Sequence, residues 1–138
     1  MVTKFKLNNK DIEVAVFDLD GTLISQDSLL EQTMIFLKYM KLKSLYLIPL
    51  LLSKGIIFYK KALFEFNEKL DKNTSCMRNI EPNQNLLILL NEYRTHGKKI
   101  VVATAAYFRT AIKVLGRIDL LPDVLIATNT RKNLKGKQ

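Results

Sequence analysis

Short apolar runs alternate with longer stretches of helical spacing along the chain. Residues 14–19, VAVFDL, are apolar at nearly every position, the pattern of a strand buried on both faces. Residues 27–42 follow with Leu29, Leu30, Thr33, Met34, Leu37, Tyr39 and Met40 at helical spacing, a wide apolar face. Asp27 or Ser28 stands where a side chain can cap the first free amides of that helix. Residues 44–70 hold more helix, with interruptions expected at Pro49 and Gly55. The polar stretch 71–82 reads as a linker, and 83–96 as an amphipathic helix that Gly97 stops. Residues 99–103, KIVVA, make a second buried strand, 107–115 a helix, and 124–127, VLIA, a third strand leading into a basic loop.

Strand, helices, strand, helix, strand is the order of an α/β fold with a Rossmann-like parallel sheet. Right-handed crossovers bring the C-terminal ends of the strands to one edge, and open sheets of this kind bind ligands there. That edge collects the polar residues. Asp18 and Asp20 close the first strand, and Thr104 closes the second. Ala105 and Ala106 lie near the start of the next helix, where amides make a natural anion site. Thr128, Asn129 and the lysines of the tail follow the third strand.

Two carboxylates two residues apart repel each other, and folding alone gives no reason for them. Phosphoryl transfer does. A carboxylate at Asp18 can attack phosphorus, and Asp20 can protonate the leaving oxygen and later deprotonate the attacking water. Mg²⁺ makes such proximity tolerable, because it is held by one or two carboxylates together with phosphate and water oxygens. Gly21 allows a sharp turn beside the phosphate, Thr22 can tie that turn down, and Thr104 offers a hydroxyl. A lysine of the tail balances the charge on the phosphoryl group.

Composition sets limits on this reading. The chain has 138 residues, one domain's length, at 48% hydrophobic and 25% charged, which is ordinary for a globular protein. Its one cysteine, Cys76, allows neither an internal disulfide nor a thiolate cluster and suits a reducing, cytoplasmic setting. The amino end lacks the apolar core of a signal peptide. The net charge of +9 fits nucleic acid, an anionic membrane surface or phosphorylated substrates. No zinc-finger spacing, RNP-like strand or helix-turn-helix accompanies it, so nucleic acid is not the expected partner. The run LYLIPLLLSKGIIFY, residues 45–59, is shorter than a membrane span and broken by Pro49, Ser53, Lys54 and Gly55. It reads as helix packing, with membrane-surface contact as the alternative because lysines flank it. His96 reads as a helix-end residue rather than a catalyst.

The motif DLDGT resembles the first motif of the haloacid dehalogenase (HAD) superfamily, VVATAA its second, and NLKGKQ its third. The layout is most similar to the phosphoserine-phosphatase-like domains found at the amino end of some UbiA-type prenyltransferases. The resemblance implies a Mg²⁺-dependent phosphohydrolase acting on a small or lipid-linked phosphomonoester through an aspartyl-phosphate. It implies Asp18 as nucleophile, Asp20 as acid/base, and Thr104 and Ala105 at the phosphate. Lys135 is the charge-balancing lysine, with Lys137 second. Mg²⁺ is implied at the Asp18 side chain and the Asp20 carbonyl. It divides the chain into a core of residues 1–26 and 83–138 and a helical cap with linker, 27–82. It also implies a fourth motif, with one or two acids after a fourth strand that pairs with the first. No Asp or Glu follows Asp123. The expectation is therefore a carboxy-terminally truncated domain whose first strand is an apolar edge, and a partner segment that supplies the missing strand. The alternatives to an active enzyme are an inactive fragment of a phosphatase–prenyltransferase and a non-catalytic module that binds phosphate or a membrane surface.

Overall fold

A computed structural model describes residues 13–70 and 80–129. The strands are β1 (Val14–Phe17), β2 (Lys99–Tyr107) and β3 (Val124–Thr128), and the helices are α1 (Ser28–Met40), α2 (Ser44–Ser53), α3 (Ile56–Lys69), α4 (Gln84–Thr95) and α5 (Phe108–Arg117). A 3₁₀ turn, Lys41–Lys43, joins α1 to α2. The sheet is parallel with order β1-β2-β3. The chain therefore moves in one direction across the sheet. Two right-handed crossovers in one direction place α4 and α5 on the same face.

That face holds the core. Ala15 and Phe17 of β1 and Ile100 and Val102 of β2 pack with Leu90 of α4 and with Ala111, Val114 and Leu115 of α5. The other face is different. Val14 and Val16 are 46% and 62% exposed, and Val124 and Ile126 are 45% and 44% exposed. The reading of the first strand as buried on both faces is thus corrected: β1 alternates, with only Ala15 and Phe17 inside. A continuous apolar run does not reveal whether both of its faces are covered. Among the described residues, β1 is also an edge.

The three helices between β1 and α4 form a second apolar cluster of their own, around Phe36, Tyr59 and Leu63. Leu47, Ile48 and Leu51 of α2 close it from one side. Two expectations change here. The helix runs through Pro49 instead of stopping at it. Proline in the second turn removes one main-chain bond, and α2 keeps its inner row packed around that loss. The break falls at Gly55, whose φ of +100° only glycine adopts without strain. On α1 the inner row is Ser28, Gln32 and Phe36, whereas Leu30, Met34, Leu37 and Tyr39 are exposed. The apolar face counted from the sequence is largely the outer one. The end of β2 also shifts: the strand continues to Tyr107, with an irregularity between Thr104 and Tyr107, and α5 starts only at Phe108.

Candidate active site

The loop after β1 is fixed before any ligand arrives. Leu19, Leu23 and Ile24 are almost fully buried, so each holds the loop with a side chain worth roughly 1.5–3 kcal/mol of burial. Main-chain bonds close the turn: Thr22 N to Leu19 O at 3.4 Å, Ile24 N to Leu19 O at 3.1 Å and Gly21 N to Gln26 O at 3.2 Å. Gly21 sits at φ +70°, where a side chain would be strained. Asn83 N and Ser25 N tie the same loop to residues 23 and 81 across the base of the helical insert, at 2.8 and 3.0 Å.

This scaffold presents Asp18 and Asp20 in different environments. Asp18 is exposed, and its Oδ1 accepts from the Leu19 amide at 2.7 Å. Asp20 is half-buried and fully engaged: Ser28 N donates to Oδ1 at 3.1 Å and Ser28 Oγ donates to Oδ2 at 3.0 Å. Burial pushes the Asp20 carboxyl above its ordinary value, the Ser28 bonds pull it back in part, and Asp27 and then Asp18 push it up further. Glu31 is raised as well, by burial first and then by Asp20 and Asp27. Negative charge is therefore crowded at this end of α1. Asp27 itself is the cap of that helix, its Oδ1 accepting from the amides of Leu29 and Leu30 at 3.0 and 2.9 Å.

Across a cavity of about 200 Å³ stand the other walls, among them Thr104, Ala105, Ala106 and Thr110 from the core and Gln32, Ile56 and Lys60 from the insert. Thr104 is buried, and its Oγ1 accepts from Ala106 N at 3.1 Å, so its own proton remains available to donate. Ala105 and Ala106 line the cavity as expected but lie in the irregular end of β2, ahead of the helix, and not at its first turn. The Ala105 carbonyl accepts from Lys60 Nζ at 2.6 Å and from Thr128 Oγ1 at 2.9 Å. One bond reaches it from the insert and one from the third strand, and together they set the position of the Thr104 segment.

Lys60 is the residue the sequence reading missed. It is 4% exposed on α3 and brings an ammonium group to the cavity that both aspartates line. In the sequence it is one of two adjacent lysines, and only the inward face of α3 separates it from Lys61, whose side chain pairs with Glu65. Ser28, Gln32 and Thr110 were missed for the same reason, since polar residues on an inner helix face look like surface positions. Gln32 Nε2 donates to Ser28 O at 3.0 Å and to Thr110 Oγ1 at 3.3 Å, while its buried Oε1 has no partner among the described residues. Lys135 and Lys137 lie outside the described residues.

Among the described residues, no group of three or more His, Cys, Asp or Glu is arranged to hold a metal ion. Three aspartates line the cavity: Asp20 spends both carboxylate oxygens on Ser28, Asp27 spends one on the first amides of α1, and Asp18 spends one on Leu19 N. A carboxylate engaged at one oxygen, beside a backbone carbonyl, suits Mg²⁺, which keeps several waters and takes further oxygens from a phosphate. It does not suit a metal that needs a full protein cage.

No family model matches the sequence, and no curated protein matches it. A crystal structure of a candidate phosphatase from Clostridium difficile aligns with 88% of this chain and 63% of its own length, at a TM-score of 0.53 and 18% identity. A crystal structure of a HAD family hydrolase from Salmonella enterica serovar Typhi aligns with 87% of this chain and 42% of its own length, at a TM-score of 0.48 and 14% identity. The chain thus spans less than two thirds of either protein. At such identity a likeness speaks for architecture alone, and the architecture is the one the order of elements predicted: an α/β fold built on a parallel sheet with helices.

Proposed function

We propose that the cavity is a phosphoryl-transfer site and that the chain carries the catalytic residues of a Mg²⁺-dependent phosphomonoester hydrolase. The observation that carries this reading is the convergence of Asp18, Asp20, Thr104 and Lys60 on one small cavity at the C-terminal edge of the sheet. Asp18 is the nucleophile: exposed, held at one oxygen, with the other unbonded among the described residues and able to reach phosphorus. Its oxygen forms a bond to phosphorus as the ester P–O bond breaks. Asp20, whose carboxyl is biased toward the protonated form, gives its proton to the leaving oxygen. In the second half Asp20 takes a proton from water as that water attacks phosphorus, and Asp18 leaves as a free carboxylate with inorganic phosphate as product. The Thr104 hydroxyl donates to a phosphate oxygen. Lys60 places positive charge at the Thr104–Ala105 segment, the part that Lys135 plays in the resemblance. Mg²⁺, held by the Asp18 carboxylate and the Asp20 carbonyl, neutralises phosphate charge when bound.

Turnover of an aryl phosphate tests the reading. Asp18→Asn is expected to abolish it, and full activity in that variant would sink the mechanism. The cavity of about 200 Å³ has room for a phosphate with a small leaving group, or for the headgroup end of a lipid phosphate.

A second reading is favoured by the open sheet. With β1 unpaired on one side among the described residues and Val14, Val16, Val124 and Ile126 exposed on the face away from α4 and α5, the core can accept a further strand and a covering helix. In this reading a C-terminal partner segment completes the sheet and adds acids to the metal shell, and the described part alone turns over slowly. Mixing the chain with such a segment and measuring Mg²⁺-dependent hydrolysis separates the two readings.

A further inference from the structure

Helix α2 is apolar all the way round, yet only one side of it is used. Its inner row, Ser44, Leu47, Ile48 and Leu51, faces the cluster around Phe36, Tyr59 and Leu63. On the opposite side of the helix Leu45 is 67% exposed, Tyr46 80% and Leu50 53%, and Leu42 in the preceding turn is 77% exposed. A surface helix of a globular protein carries polar residues there, and a contiguous exposed apolar patch marks an interaction site.

The charge around the patch says what covers it. From Gln32 to Phe64 the sequence has six lysines and not one Asp, Glu or Arg. Lys38, Lys41, Lys43 and Lys54 are exposed and border the patch at the end of α1, in the 3₁₀ turn and just after α2. Among the described residues no helix is long and apolar enough to cross a membrane. A short helix with leucines and a tyrosine outward, rimmed by lysines and lacking any acid, matches the interface of an anionic bilayer, where apolar side chains enter the acyl boundary and lysines meet headgroups. A protein partner of ordinary composition gives no reason for excluding acids over a stretch of this length. We propose that the outer face of α2, with the turn before it, docks on an anionic lipid surface.

The sequence has no tryptophan, which makes a clean reporter available. Tyr46→Trp is expected to show a blue-shifted emission on vesicles of phosphatidylcholine with phosphatidylglycerol. The same substitution at Leu121, 82% exposed on the loop before β3, is expected to show none. The charge-neutral variant Leu45→Ser/Tyr46→Ser/Leu50→Ser is expected to bind those vesicles at least tenfold more weakly, the loss of several buried apolar side chains. Raised salt is expected to weaken the wild type as the lysines are screened. Three results overturn the proposal. One is no binding to the anionic vesicles. Another is equal binding by the serine variant, or equal shifts at both reporters, which means adsorption by net charge alone. The third is a concentration-dependent dimer that the serine variant abolishes in the absence of vesicle binding, which assigns the patch to a second copy of the chain.

Discussion

At the scale of single residues, the site rests on two aspartates with unlike surroundings. Asp20 is the one whose environment shifts its proton affinity, and it carries a cost in stability that can be measured. Its folded value is raised above the ordinary 3.8, chiefly by burial. Between 3.8 and that raised value the folded protein binds a proton that the unfolded chain has lost. Stability is therefore full below 3.8 and falls as pH rises through the folded value. Asp20→Asn is accordingly expected to melt higher than the wild type at neutral pH, with the difference closing toward pH 3.8 as both residues become neutral. The same variant is expected to slow turnover by about 10²–10⁴-fold, the contribution of positioned acid–base help. A variant that melts lower at neutral pH contradicts the assignment of burial as the main cause. Lys60→Met keeps the bulk of the α3 side chain but removes its bond to Ala105 O. Loss of that charged hydrogen bond is expected to cost roughly 1.5–3 kcal/mol of stability, read as a lower urea midpoint, and to lower turnover of an aryl phosphate, with Lys60→Arg retaining part of both. That the aspartates and Thr104 meet at one cavity was legible in the sequence because all three stand at the C-terminal ends of parallel strands. Lys60 and Gln32 were not, because what distinguishes them is which side of a helix faces the core.

The elements that carry these residues depend on a few local choices. Asp27 caps α1, and α1 carries the Ser28 that holds Asp20. Asp27→Ala is expected to cost about 1 kcal/mol, seen as a lower urea midpoint, and to loosen Asp20 through the frayed first turn. In the insert, Leu63 is completely buried at the centre of the small cluster. Leu63→Ala is expected to cost about 2–5 kcal/mol, enough to separate the melting of the helical insert from that of the sheet. Where the sequence misplaced an element, a tertiary contact was responsible. Two of the three inner residues of α1, Ser28 and Gln32, are polar and line the cavity, so counting apolar positions selected the wrong side. Strand β2 runs on past Ala103 because Lys60 and Thr128 both hold the Ala105 carbonyl, contacts that no local pattern announces. The order and type of the elements, by contrast, follow from short apolar runs and glycine stops that act within a few residues.

For the molecule as a whole, the unequal faces of the sheet are the main feature. Among the described residues one face is packed by α4 and α5, while the other shows four valine and isoleucine side chains beside an open strand edge. Such an edge is a template for pairing. The chain is expected to self-associate in sedimentation at micromolar concentration, and Val16→Lys, on the exposed face of the edge strand, is expected to reduce it. A monomer at all accessible concentrations contradicts that expectation. The account as a whole stands or falls on Asp18 as the atom that takes the phosphoryl group. Incubating the chain with Mg²⁺ and acetyl phosphate, quenching in acid and mapping peptides by mass spectrometry tests this directly, even if later hydrolysis is slow. The account requires a phosphoryl label on Asp18 that is absent from Asp18→Asn. A label elsewhere, or none on the wild type, contradicts it.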